Sequence, residues 1–266
     1  MLSREQAELK YPIVLVHGAG FEDNCNSGEI VGSWGTIPKF IRKQGVPIFF
    51  GRTKAWASII ENAEILKESI LNFQKEYDID KVNIIAHSMG GLESRYMITH
   101  LGMAKNVASL TTISTPHRGL KTIDALHNTK LYQKIIELLA TRYFGSYEQF
   151  LNMSLRLKHS NCVLFNRETP NMEGVYYQSY GADMKSMVYD PLLSVSYKII
   201  SYYDGENDGL VPIRSARWGN YKGIFESRSL KGLSHRDLID MHKEDTLEDI
   251  RHNYLQIILD LEEQGL

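Results

Sequence analysis

The chain has 266 residues, of which 43% are hydrophobic and 23% are charged, and its formal net charge is −2. This length and apolar content suffice for a large folded core, and the near-neutral charge excludes the broad basic surface that binds nucleic acid or anionic membranes. No apolar run reaches the roughly 20 residues of a membrane-spanning helix. We therefore expect a folded domain without a transmembrane segment or a nucleic-acid partner.

The N-terminal segment and the cysteines bear on the compartment in which the protein works. Residues 1–12 include charged side chains but no apolar core of a secretory signal. This predicts a cytoplasmic protein, or a secreted one if a leader was removed. Cys25 and Cys162 match no zinc-binding spacing and are too few for a disulfide framework. We expect two reduced thiols, and a single bridge between them stays open.

Short aliphatic runs alternate with segments of helical periodicity in the first half of the chain. The strongest strand signal is Ile-Val-Leu-Val at 13–16, a run typical of a fully buried strand. Residues 59–77 repeat apolar side chains every three or four positions, as an amphipathic helix does. The other predicted elements are strands at 47–50, 82–86 and 110–113 and a helix at 89–101. Strands separated by helix-length segments predict βαβ units and a mainly parallel sheet with helices on both faces.

The second half begins with a segment of a different kind. Residues 118–173 keep helical periodicity but lack strong strand signals, which predicts an inserted helical cap. Strand signals return at 175–180 and 197–203, and a final amphipathic helix is predicted at 247–261. The sequence therefore predicts a single α/β domain over residues 1–266 that carries a helical cap.

The segment Ala-His-Ser-Met-Gly at 86–90 joins a predicted strand to a predicted helix. It is a variant of the G-x-S-x-G nucleophile elbow, in which a sharp turn exposes a serine hydroxyl above the sheet. Ala86 replaces the usual first glycine and Gly90 retains the second, so the strand and the helix can still approach closely. Ser88 is the predicted nucleophile. The alternative is a serine that only caps the helix.

A serine hydroxyl needs a base to take its proton. His87 is adjacent to Ser88, but neighbouring side chains at a strand end point in different directions, so the base must come from elsewhere. The other histidines fall in predicted helices, in the cap or in other motifs. His235 lies in a loop with glycine and serine before the last helix, and it is the predicted base.

The acid that orients the histidine should lie between the serine and the histidine in the chain. Asp208 satisfies this order, in a turn that follows the predicted strand at 197–203. Its neighbours Asp204 and Glu206 are expected to be solvated loop residues. The alternative for Asp208 is an ordinary Asp-Gly turn residue.

Two backbone amides are candidates for an oxyanion hole. One is the N–H of Met89, directly after the nucleophile, and the other is the N–H of Ala19 in the His-Gly-Ala-Gly loop at 17–20. This loop follows the strand at 13–16, the position from which such a donor comes in this type of site. The alternative is a glycine-rich turn without a catalytic role.

These motifs together resemble the bacterial true lipases, the family I triacylglycerol lipases of the α/β-hydrolase superfamily. The matching segments are YPIVLVHGAG (11–20), VNIIAHSMGGLESRY (82–96), SLTTISTPHRG (109–119), VYYQSYGA (175–182), NDGLVP (207–212) and SHRDLID (234–240). The resemblance implies an α/β-hydrolase fold with Ser88, Asp208 and His235 as a catalytic triad. It also implies that Ala19 and Met89 donate to the oxyanion.

The resemblance implies a structural calcium site beside the histidine loop as well. Its candidate ligands are the carboxylates of Asp190 and Asp237 and the carbonyls of Met241 and Asp245. Ligation by oxygen atoms alone suits calcium. The alternative for Asp237 is a helix cap or a surface charge. No cofactor is expected for the chemistry itself.

The function that the resemblance implies is hydrolysis of lipid esters through an acyl-enzyme on Ser88. The partner is then an ester or lipid substrate, met at a lipid–water interface if the cap opens as a lid. The oligomeric state stays open. Cap residues expected to face lipid or substrate, or else to pack on the core, are Leu131, Ile135, Leu138, Leu139, Tyr143 and Phe144. The alternatives are a carboxylesterase for short soluble esters and a non-catalytic relative that binds a hydrophobic ligand.

Overall fold

The computed structural model describes residues 8–23, 33–142, 146–241 and 246–266. Its strands are β1 (Ile13–Val16), β2 (Ile48–Phe50), β3 (Val82–His87), β4 (Val107–Ile113), β5 (Tyr176–Gly181) and β6 (Asn220–Ile224). They form a six-stranded sheet in the order β2-β1-β3-β4-β5-β6, and every neighbouring pair is parallel. The predicted α/β class with a parallel central sheet is confirmed.

The helices of the described residues lie between and after these strands. They are α1 (Ile37–Lys43), α2 (Ile59–Tyr77), α3 (Met89–His100), α4 (Lys121–Leu126), α5 (Lys130–Arg142), α6 (Tyr147–Arg156), α7 (His159–Glu168), α8 (Ser194–Asp204), α9 (Ile213–Ala216) and α10 (Leu247–Glu263). Within the described part of the chain, none of them combines the length and apolar character that crossing a bilayer requires.

The two faces of the sheet carry separate hydrophobic cores, and β1 contributes to both. Ile13 and Leu15 pack with residues of α1 and α10. Val14 and Val16 pack with residues of α2 and α3 on the opposite face. Successive side chains of a strand point to opposite faces, so a strand covered on both sides must be apolar at every position. This explains why the sequence shows a continuous aliphatic run at β1 rather than an alternating pattern.

Helices α4 to α7 occupy the chain between β4 and β5, and the first three of them contribute to a third apolar cluster. Side chains from α4, α5 and α6 contribute Ile123, Tyr132 and Phe150 to this cluster. Ile200 from α8 packs against them, so a helix from outside the insertion contributes to the same layer. This layer lies over the serine turn, because its residues and Ser88 line the same cavity.

The predicted strand at 197–203 is wrong, because this segment lies within α8. Its β-branched and aromatic residues favour a strand locally, but the buried side chains are Ser196, Ile200 and Asp204, spaced four residues apart as on one helix face. Tyr202 is 83% exposed. Strand β6 was not predicted, because its short sequence Asn-Tyr-Lys-Gly-Ile has no apolar run and lies at the sheet edge.

The structure describes one of the two cysteines. Cys162 is a free, buried thiol on α7, and burial raises the pKa of this thiol to about 12. Such a group is protonated at neutral pH and reacts slowly. Cys25 lies outside the described residues.

Candidate active site

Ser88 occupies the sharp turn between β3 and α3, as the motif predicts. Its backbone has φ 53° and ψ −125°, a conformation that non-glycine residues rarely adopt. Such strain persists only where the surrounding structure enforces it, and it is the geometry that exposes a nucleophile above the sheet. The Ser88 side chain is half-buried and lines a cavity between the sheet and the helical layer.

Close packing around this turn explains the small residues on either side of Ser88. A Cβ atom added to Gly90 would lie 2.5 Å from the His17 carbonyl oxygen and 2.7 Å from that of Val16. Position 90 therefore admits glycine alone without a backbone shift. Ala86 is fully buried, and its methyl group packs in the core on the α2 and α3 face. The departure from the usual first glycine is thus accommodated by packing.

Replacing Gly90 with alanine is expected to lower both stability and activity. The new methyl group would overlap two backbone carbonyls, and overpacking of this kind costs about 1–3 kcal/mol of unfolding free energy. Denaturant unfolding and ester hydrolysis measure the two effects. Gly102→Ala is the comparison variant, since a Cβ atom at Gly102 would meet open space, although the φ of 72° at this position strains any side chain. That variant should lose some stability and keep its activity; equal activity loss in both variants would contradict the steric account.

His235 and Asp208 lie together although 27 residues separate them. The Nδ1 atom of His235 donates to Asp208 Oδ2 at 2.7 Å, and the His235 backbone N–H donates to the Asp208 carbonyl at 2.8 Å. The other carboxylate oxygen accepts the N–H groups of Leu210 and Val211 at 3.0 and 2.7 Å. Since a carboxylate only accepts, these contacts place the ring proton on Nδ1 and leave Nε2 as a proton acceptor.

The acidic neighbours of Asp208 have different surroundings. Glu206 is exposed, as predicted. The prediction that Asp204 is a solvated loop residue is wrong, because Asp204 is buried at the end of α8. Its carboxylate accepts the N–H groups of Lys121 and Thr122 and pairs with Arg214. Asp204 therefore holds the N-terminus of α4 against α8.

His87 lies beside the site without being placed to act as its base. It is fully buried, and its ring centroid lies 4.4 Å from that of His235. Burial, and then the neighbouring His235, hold the pKa of His87 well below its usual range. This imidazole is therefore neutral and supports the face of the His235 ring. The described residues contain no hydrogen bond between Ser88 and His235, and such contacts often tighten only when substrate binds.

The His-Gly-Ala-Gly loop lies directly against the serine. A Cβ atom on Gly18 would lie 2.7 Å from that of Ser88. The His17 ring fixes the loop through contacts with the Gly18 carbonyl at 2.8 Å and the Thr53 carbonyl at 3.0 Å. Ala19 and Met89 both line the cavity beside Ser88. The Met89 N–H belongs to the first residue of α3, where amides have no partner within the helix and can bind an anion.

The cavity above Ser88, here called the apolar cavity, has a volume of about 140 Å³. Its walls include Trp56, Ile123, Ile136 and Phe150, and none of these was singled out from the sequence. Of the predicted cap residues, Ile135 lines the cavity, whereas Leu131 and Leu138 are exposed. Tyr143, Phe144 and the Leu139 side chain lie outside the described residues. Helical periodicity identified α5 but not which of its apolar residues face the serine.

The predicted calcium ligands lie beside the histidine loop. Asp190 and Asp237 are fully buried and both bind Ser234, whose Oγ donates to Asp190 and whose N–H donates to Asp237. The Arg236 guanidinium lies 3.5 Å from Asp190 Oδ1 and 3.3 Å from the Met241 carbonyl oxygen. Two of the predicted ligands thus already contact a cationic side chain. Asp245 lies outside the described residues, and in the described part no three acidic, His or Cys side chains cluster as a metal site.

Comparison with known proteins shows which sequences this chain is similar to. The family model described as PGAP1-like alpha/beta domain matches residues 54–180. Triacylglycerol lipase 2 of Saccharomyces cerevisiae is 32% identical in an alignment of 223 residues that covers 78% of this chain and 62% of that protein. A triacylglycerol lipase of Pseudomonas fragi is 24% identical over 89% of this chain and 90% of its own length. The 62% coverage means that this chain spans less than two thirds of the length of the yeast relative.

Solved structures show the same fold at lower sequence identity. A Bacillus licheniformis lipase in its mature form superimposes with a TM-score of 0.71 at 18% identity, over 95% of this chain and 94% of the other. A Staphylococcus hyicus lipase gives a TM-score of 0.69 at 18% identity, over 99% of both chains. At this identity the likeness concerns the fold.

Proposed function

We propose that the chain is an α/β-hydrolase that hydrolyses carboxylic esters of lipids, because it has a parallel central sheet with a strained serine turn and is similar to triacylglycerol lipases. The observation that supports this most is the strained Ser88, which shares a cavity with a His235 ring held by Asp208. These are the groups that acyl transfer requires. The names of the relatives are consistent with the same reaction.

In the proposed reaction, Ser88 Oγ attacks the ester carbonyl carbon while His235 Nε2 takes the hydroxyl proton. The carbonyl oxygen becomes an oxyanion and accepts the N–H groups of Ala19 and Met89. The C–O bond to the alcohol then breaks, and His235 gives its proton to the leaving alcohol. His235 next takes a proton from water, whose oxygen attacks the acyl carbon. The bond between this carbon and Ser88 Oγ then breaks, His235 returns the proton to Ser88 Oγ, and the acid leaves. Asp208 stabilises the imidazolium that forms in both halves.

The surroundings of Ser88 support a lipid acyl chain. Aromatic and aliphatic side chains, including Trp56, Ile136 and Phe150, surround the apolar cavity. An acyl chain gains about 0.8 kcal/mol for each methylene group that it transfers from water to such a wall. Binding should therefore strengthen with chain length until the cavity is filled.

Hydrolysis of p-nitrophenyl esters from C2 to C16 tests this function. We expect kcat/KM to rise from C2 and to be highest for medium or long acyl chains. A maximum at C2 to C4 would identify a carboxylesterase for short soluble esters. Tight binding of fatty acids without turnover of any ester would identify a non-catalytic binding protein.

We further propose that Arg236 supplies the positive charge that Asp190 needs in its buried position. A buried carboxylate without a counter-charge is costly, and the guanidinium contacts both Asp190 and the Met241 carbonyl. The oxygen donors also suit calcium, but an ion bound by both groups would have to displace Arg236. No step of the reaction depends on such an ion.

Melting temperatures measured with calcium and with a chelator distinguish these two counter-charges. We expect the same value for the wild type in both conditions and a lower value for Arg236→Met. A wild-type protein that calcium stabilises by several degrees would instead support the metal site predicted from the sequence, since a ligand of the native state raises stability.

A further inference from the structure

A second cavity, here called the polar cavity, lies beside the apolar cavity and has a volume of about 100 Å³. The residues that matter for its chemistry are Ala19, Met89, Glu93, Gln149, Asn152 and Arg156. Ala19 and Met89 line both cavities. The proposed oxyanion donors therefore stand between an apolar space and a polar one.

Glu93 forms the buried end of the polar cavity. It lies on α3 one turn after Met89, and only 3% of its surface is exposed. Its Oε1 atom accepts a hydrogen bond from Asn62 Nδ2 at 2.8 Å, whereas Oε2 is buried without a partner among the described residues. Buried polar atoms are almost always paired, so the unpaired oxygen of a residue that lines this cavity is a candidate hydrogen-bond partner for a ligand.

The protonation of Glu93 decides what this atom offers to a ligand. Burial raises the pKa of Glu93 to about 8, against the hydrogen bond from Asn62 and the charge of Arg156, which lower it. At neutral pH the carboxyl group is therefore mostly protonated. A protonated carboxyl both donates and accepts hydrogen bonds, which is the pattern of an alcohol hydroxyl.

The open end of the polar cavity is formed by α6. Gln149, Asn152 and Arg156 are exposed and lie three and four residues apart, so they share one face of this helix. Gln149 Oε1 accepts the Ser146 N–H in a capping box, which leaves its NH₂ group free to donate. The cavity thus leads from a polar surface to a buried carboxyl group.

We propose that the polar cavity binds the alcohol half of the ester, and that this half carries free hydroxyl groups, as the glycerol of a partial glyceride does. The inference rests on the proposed function. The two substituents of an ester carbonyl extend in different directions from the carbon that Ser88 attacks. Two cavities of opposite polarity that meet at Ala19 and Met89 match the two halves of such a molecule.

The same cavity is poorly suited to a phosphate-bearing headgroup. Arg156 is its only basic side chain among the described lining residues, and this side chain lies at the exposed end. At the buried end, an anion would meet the carboxyl group of Glu93 and oppose its ionisation. Hydroxyl groups are neutral and pair with the carboxyl, amide and guanidinium groups alike.

The test compares 1-monolauroylglycerol with ethyl laurate, which share an acyl chain and differ in the alcohol. The measured ratio is kcat/KM for 1-monolauroylglycerol divided by kcat/KM for ethyl laurate. For Glu93→Met we expect this ratio to be about tenfold lower than in the wild type, the effect of roughly one hydrogen bond. Asn152→Leu, at an exposed position that does not endanger folding, should lower the ratio in the same direction. Glu93→Gln keeps a donor and an acceptor and should retain most of the wild-type ratio.

Glu148→Met is the matched control, because Glu148 lies on α6 next to Gln149 but does not line the cavity. Its ratio should equal that of the wild type. An unchanged ratio in both Glu93→Met and Asn152→Leu would overturn the proposal, as would a wild-type preference for lysophosphatidylcholine over monolauroylglycerol. A wild type that hydrolyses neither laurate ester would contradict the proposed function itself, and this inference with it.

Discussion

Replacing Ser88 with alanine is expected to lower kcat for ester hydrolysis by about 10³-fold or more, the effect of removing the nucleophile of a serine triad. The variant keeps the backbone amides of Ala19 and Met89 and the apolar cavity, so substrate binding should persist. Its melting temperature should stay close to that of the wild type, because alanine and serine are similarly strained at the φ of 53°. Loss of turnover without loss of folding is the signature of a nucleophile.

Hydrolysis of p-nitrophenyl octanoate, followed together with thermal unfolding, measures both quantities. Ser160→Ala is the matched control, since Ser160 is an exposed serine of α7 that contacts Asp124. It should retain wild-type activity. A Ser88→Ala variant that keeps a tenth or more of the wild-type kcat would refute the assignment of Ser88.

Replacing Asp208 with asparagine should reduce kcat by about 10⁴-fold, although the side chain keeps its size. The carboxylate accepts the proton on His235 Nδ1 at 2.7 Å. An amide NH₂ at this position favours the opposite tautomer, with the proton on Nε2, where His235 can no longer accept the proton of Ser88. The loss should therefore appear mainly in kcat rather than in KM.

A matched substitution at the neighbouring acid separates this effect from a change of local charge. Glu206→Gln alters an exposed carboxylate in the same loop, and its kcat should equal that of the wild type. Activity in Asp208→Asn within tenfold of the wild type would show that Asp208 does not orient the base.

The fold was largely predictable because its sheet is buried on both faces. A strand such as β1 must then be apolar at each position, and this produces a short run that is visible without any structure. Local sequence predicts the wrong element at α8, where aromatic and β-branched residues favour a strand but tertiary packing buries only every fourth residue. Strand β6 has no recognisable signal in the sequence, because it is an edge strand of mixed polarity.

The candidate site was predictable to the extent that each residue belongs to a local motif. Ser88 and the loop around Ala19 have recognisable neighbours in sequence, and chain order selected Asp208 and His235. Contacts between distant segments have no such signal. Nothing in the sequence near Glu93 indicates that its carboxyl group meets Asn62 on α2 and faces a cavity, because a glutamate on a helix is usually solvated.

The same limit applies to the acidic pair beside the histidine loop. The resemblance implied calcium between Asp190 and Asp237, whereas the structure brings Arg236 into contact with Asp190 and with the Met241 carbonyl. No motif in the sequence indicates a guanidinium at this position. The contact of Arg236 with Asp190 becomes visible only in the three-dimensional structure.

Covalent labelling of the native protein with a fluorophosphonate, followed by peptide mass spectrometry, tests the role of Ser88 most directly. Such a reagent reacts with a serine only when a neighbouring base and oxyanion donors activate it. We expect one adduct for each chain, located on Ser88, and no adduct in Ser88→Ala. A wild-type protein that stays unlabelled, or an adduct on another serine, would contradict the claim that this turn holds the nucleophile of an ester hydrolase.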